Sequence, residues 1–134
     1  MVSWLSMIVS CLALFTSLVT WYKMYQKRKY DVADAILSEL LKITLEYPEL
    51  RDPHYCSAAI HNSDTKIRYQ YESYAILCWN YLETLYDTYG KGLKKSPFYG
   101  AMRDLGERHK EWLFTNNNLS YYNAELVKFL RIEV

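Results

Sequence analysis

The chain divides by polarity before any element is assigned. No charged residue occurs in the first 22 positions; the sixteen Lys and Arg and the fifteen Asp and Glu all come later. Val2 to Tyr22 is therefore one charge-free run. At about 1.5 Å per residue a helix of that length covers roughly 30 Å, the hydrocarbon thickness of a bilayer. Beyond it the pattern is helical. Ala33, Ile36, Leu37, Leu40, Leu41, Thr44 and Leu45 recur at spacings of three and four, which predicts an amphipathic helix over 31–47. Pro48 should end it, since a proline disfavours helical geometry in the residue before it. Residues 48–65 read as a long connection with one short turn at Tyr55–Ile60. Ser63 or Asp64 can cap a second helix over 65–89, stopped by Gly90. Its stripe is Ile67, Tyr71, Tyr74, Cys78, Tyr81, Leu82, Leu85 and Tyr89. A basic turn leads to a third helix over 97–114, with Pro97 in its first turn. After Asn116-Asn117-Asn118, Ser120 is expected to cap a last helix reaching about Arg131.

The expected fold is all-α: an anchor at 1–22, a basic juxtamembrane segment at 23–30, and a helical domain of about four helices at 31–134. Nothing between Lys23 and Asp34 is Gly or Pro, so the anchor can run unbroken into the first bundle helix.

The apolar run has the marks of a membrane span. Trp4 lies near one end and Trp21, Tyr22 and Tyr25 at the other, where amphipathic rings favour the water boundary. Lys23, Lys27, Arg28 and Lys29 follow, so this end should face the cytoplasm and contact lipid headgroups, with the N-terminus outside. A secretory signal would place its positive charges before the apolar run, not after it. Ser3, Ser6, Ser10, Ala13, Ser17 and Thr20 recur at spacings of 3, 4, 3, 4 and 3. Small side chains on one stripe let helices approach closely in lipid, which predicts self-association. The competing reading is a plain anchor whose hydroxyls bond back to their own carbonyls.

Composition narrows the functional classes. A length of 134 residues allows one domain of ordinary size, and three cysteines exclude a disulfide scaffold. A net charge of +1 gives no pull toward DNA. No HExxH, paired CxxC, nucleophile elbow or phosphate-binding glycine loop occurs, so no metal or cofactor is expected and the chain reads as a non-enzyme.

Three features rise above this background. Asn80, Glu83 and Asp87 share one helical face, with Arg68 and Glu72 farther back; Arg103, Arg108 and His109 are available partners. Fourteen tyrosines are present, seven of them between Tyr69 and Tyr99, suited to packing and interfaces or to stacking on nucleobases. The turn with Lys91, Lys94 and Lys95 could meet anionic headgroups or a phosphate. From these, Arg68, Asn80, Glu83, Asp87, Arg103 and His109 are the candidate ligand-binding residues.

The segments Arg68-Tyr69-x-Tyr71-Glu72-x-Tyr74-Ala75, Trp79-Asn80-Tyr81-x-Glu83-Thr84-x-Tyr86-Asp87 and His109-x-x-Trp112-Leu113, with Tyr47 to Arg51, resemble a loose group of uncharacterised prokaryotic proteins. That resemblance implies a small helical protein on a single-pass anchor, and it carries no activity to transfer. The functional expectation is a membrane-anchored, self-associating helical module with a cytoplasmic interaction surface. The alternative is a ligand-gated membrane effector that senses a cytoplasmic nucleotide signal. A hydrolase or transferase using Glu83, Asp87 and His109 is the weakest of the three.

Overall fold

The structure, a computed structural model, describes residues 3–134; Met1 and Val2, at the head of the expected anchor, lie outside the described residues. From Ser3 to Tyr47 there is no Gly or Pro to interrupt a helix, and one helix results: α1, Trp4–Glu46. Ser3 caps it by accepting the Ser6 N–H at 3.3 Å. Tyr47, ahead of Pro48, leaves helical geometry at φ −127° and ψ 75° and ends it. The expected anchor, the basic segment after it and the first bundle helix are thus one rod, about 65 Å long at the usual helical rise.

The remaining helices are α2 (Pro53–Ile60), α3 (Thr65–Tyr89), α4 (Phe98–Arg108), α5 (Lys110–Phe114) and α6 (Ala124–Leu130). Short 3-10 turns lie at Pro48–Arg51, Gly90–Lys95 and Asn118–Tyr121. No strand occurs among the described residues. α3 is the central element. Asp64 caps it through the Lys66 N–H at 2.9 Å, and Gly90 leaves it at φ 64°, a left-handed value natural to glycine. Its fully buried residues, Trp79, Cys78, Ala75 and Leu82, meet Leu113 of α5 and Leu126 and Leu130 of α6.

Three expectations need correction. The third helix is not continuous over 97–114. It breaks at His109, whose φ of −114° and N–H to Gly106 O tighten the last turn of α4. The break turns Trp112 and Leu113 into the core, and tertiary burial overrides local periodicity there. Ser120 does not cap the last helix. Its hydroxyl donates to Asn117 O inside a 3-10 turn, and Asn123 caps α6 instead, accepting the Glu125 N–H at 2.9 Å. Finally, Leu41 and Leu45, placed on the apolar stripe of 31–47, are 50% and 78% exposed. α1 turns a narrower face to the core, with Ala33, Leu40 and Thr44 buried and Ile36 and Ile43 packed beside them.

Candidate functional site

The six candidate ligand-binding residues do not converge. Asn80, Asp87 and Arg103 are exposed. Glu83 is half-buried and accepts the Asn123 backbone N–H at 2.9 Å, tying α3 to the start of α6. That is a structural use: the carboxylate satisfies a backbone donor at the capping residue of α6. Arg68 pairs with neither Glu72 nor any other carboxylate among the described residues. It donates to Asn62 O at 3.3 Å, and its guanidinium lies 5.5 Å from the centre of the Tyr69 ring. His109 is separate from the Asn80-Glu83-Asp87 row, deep in the core.

His109 is fully buried, with Nδ1 2.9 Å from the Tyr71 hydroxyl. The Tyr74 ring stands edge-on to it at 5.4 Å, and its carbonyl accepts the Trp79 Nε1–H at 3.3 Å. Nε2 has no partner among the described residues. Burial, with Arg108 next to it in the chain, pushes the imidazole down to about 4, so it stays neutral. The thiols nearby are equally quiet: burial raises Cys56 to about 11 and Cys78 to about 12. No three metal-ligating side chains gather among the described residues. This polar knot joins residues 38 positions apart, and no spacing rule would have found it.

Two surface regions of the bundle are concave enough to consider for a ligand. A polar cleft of about 490 Å3 lies between the N-terminal part of α3 and the turn after α5, lined by Arg68, Tyr69, Glu72, His61, Asn116 and Asn118. Asn116 and Asn117 both adopt left-handed backbone there, and Asn118 donates to Trp112 O at 2.8 Å. Tyr71 forms part of its floor and connects it to His109. The sequence pointed to Arg68 but not to the Asn triplet. The second concavity is an apolar groove between α1, α3 and α4 with Leu37, Tyr81, Leu85 and Phe98.

The first half of α1 contributes nothing to the buried core. Residues 4–25 are all exposed, including Trp4 at 81%, Leu5 at 75% and Phe15 at 65%. The helix is long and apolar enough to cross a membrane. Within it Ser6, Ser10, Ser17 and Thr20 donate to carbonyls one turn back, at 2.8 Å each. These hydroxyls therefore need no outside partner, and the stripe presents a small, satisfied surface. Because α1 is unbroken, its two halves have a fixed phase. At about 100° per residue, the Ser3–Thr20 stripe points roughly opposite to Ala33 and Leu40, the face covered by the bundle.

Set against known protein families, curated proteins and solved structures, the chain matches none.

Proposed function

We propose that the protein is a membrane-anchored, self-associating helical module, with α1 as its span and the bundle as a cytoplasmic interaction domain, and that it performs no reaction of its own. The observation that carries the reading is the unbroken α1: an apolar segment exposed on every side, fused without a hinge to the folded bundle. An apolar surface of that extent is not tolerated in water by a soluble monomer. Lys23, Lys27, Arg28 and Lys29 would sit at the headgroups and orient the bundle inward. The phase of the helix supports self-association. With the small stripe on the side away from the bundle, spans can pair closely while the bundles stay outside the contact.

Substituting Ser10, Ala13 and Ser17 together by Leu should abolish dimerisation in a membrane two-hybrid reporter. The variant should still resist carbonate extraction, because the span gains apolar surface. A full reporter signal from the triple variant would reduce α1 to a plain anchor. Extraction of the wild-type chain by carbonate would remove the span itself.

The polar cleft favours a second reading, a module gated by a nucleotide. Its volume suits a small ligand, Tyr69 offers a stacking face and Arg68 a cation. It lies at the end of α3 remote from the apolar segment, open to the cytoplasm in the proposed orientation. A bound ligand at a hundred times its Kd should stabilise the micelle-held chain by about 3 kcal/mol. Thermal shifts with linear and cyclic oligonucleotides would read this, and Arg68→Ala should cancel it. A melting point unmoved by every such ligand would dispose of the nucleotide.

A further inference from the structure

The far end of α3 lies against α1 just past the apolar segment: the rings of Tyr30 and Tyr89 are 5.3 Å apart. Tyr30 is eight residues beyond Tyr22, about 12 Å along the axis. The two helices run antiparallel, with Leu37 near Tyr81 and Leu85 and Asp34 near Tyr89. The chain leaving α3 at Gly90 therefore turns at the end of the bundle nearest the apolar segment. That turn, Gly90–Lys95, carries Lys91, Lys94 and Lys95, all exposed and none in an ion pair among the described residues. Phe98 follows at 67% exposure. Between Thr88 and Arg103 there is no Asp or Glu.

α1 adds Lys23, Lys27, Arg28 and Lys29 at the same end, before its first carboxylate, Asp31. Asp87 shares a shallow hollow with Arg28 and Lys29 and offsets part of their charge. Asp31 and Asp34 lie farther along α1 from the apolar segment. The membrane-facing end thus holds seven cations, with Asp87 beside two of them.

We propose that the Gly90–Phe98 turn docks on anionic lipid headgroups, so that the bundle rests against the bilayer and sets the tilt of α1. The proposal rests on the membrane reading of α1. Headgroups extend about 5–7 Å beyond the hydrocarbon, and the usual helix tilt of about 20° lowers one side of the bundle toward them. The flexible stem of a lysine spans what is left, within reach of the surface potential, whose range is about 8 Å. A phosphate-rich surface also matches three lysines spread along a turn better than a single small anion does, since they form no enclosed pocket.

The test uses the full chain in nanodiscs, with Cys11→Ala and Gly92→Cys for a fluorophore. Gly92 is exposed, and a Cβ there meets nothing within 4 Å; Cys56 and Cys78 are buried and will not label. Quenching by headgroup spin-labelled lipid should be several-fold stronger with phosphatidylglycerol present than with phosphatidylcholine alone. Lys91→Glu, Lys94→Glu and Lys95→Glu together should return it to the phosphatidylcholine level, at about fivefold per charge. Salt at about 1 M, which shortens screening to about 3 Å, should do the same. Equal quenching in both lipids, or quenching unchanged in the triple variant, overturns the docking while chains co-eluting with the discs keep the anchor. Abolition by millimolar-scale inorganic phosphate at constant ionic strength also overturns it, because the turn would then hold a soluble anion. Failure to co-elute with the discs overturns the anchor and the docking together.

Discussion

A Trp79→Ala chain should lose about 4 kcal/mol of stability and leave the bundle largely unfolded at modest urea concentrations. Trp79 is fully buried at the centre of α3. Its ring lies 6.0 Å from that of Tyr122 and packs over Gly106 of α4. Its Nε1–H satisfies the carbonyl at the break between α4 and α5. Truncation therefore opens a large cavity, at about 3–5 kcal/mol, while the His109 carbonyl keeps its second donor, the Leu113 N–H at 3.3 Å. A domain of this size has about 5–15 kcal/mol in total. Trp79→Phe keeps most of the ring and should cost less than half as much. Tyr69→Ala, at a 58% exposed site, should change stability by no more than about 0.5 kcal/mol. Urea midpoints of the three micelle-held chains give the comparison. A Trp79→Ala midpoint within error of Tyr69→Ala would mean that α3 does not organise the core in this way.

What the sequence made legible follows from where the deciding interactions lie. α3 could be bounded at both ends because its stop signals are local: the Asp64 side chain reaches two residues ahead, and Gly90 alone supplies the φ of 64°. α1 could be read as continuous because only Gly or Pro would break it, and none occurs. The break at His109 depends instead on Trp79, thirty residues away, and on the burial of Trp112 and Leu113. No helical periodicity encodes that. Ser120 and Asn123 are both capping residues by type, and the choice between them is made by the left-handed turn at Asn116 and Asn117. Asn80, Glu83 and Asp87 recur at spacings that put them along one face of α3, but spacing does not say what covers a face. Glu83 meets Asn123, Asp87 borders a shallow hollow with Arg28 and Lys29, and Asn80 is open to water. Leu41 and Leu45 satisfy the apolar period and remain exposed, because α3 covers a narrower strip of α1 than the period allows.

Acidification below pH 6.5 should destabilise the bundle through His109. Tyr71 and Tyr74 of α3 pack against the imidazole, Arg108 precedes it, and no carboxylate acts on it to favour a proton. Its folded pKa of about 4 lies below the ordinary 6.5. The neutral form is the one the fold accepts, so the unfolded chain binds the proton first. Stability is then complete above pH 6.5, falls by about 1.4 kcal/mol per pH unit below it, and levels off near pH 4 after losing about 3 kcal/mol. His109→Phe removes the titrating group. It also leaves the Tyr71 hydroxyl without its partner, so it should start lower by about 1–2 kcal/mol at pH 7.5. Between pH 6.5 and pH 5 its stability should nevertheless be nearly flat, while the wild-type chain loses about 2 kcal/mol. The contrast in slope separates a titration from a packing defect, since lost packing lowers both curves in parallel. Urea unfolding at three pH values suffices, and parallel slopes for the two chains would show that His109 carries no proton linkage. The unpartnered Nε2 supplies the structural reason for the sign: it has no acceptor waiting for a second proton in the folded bundle.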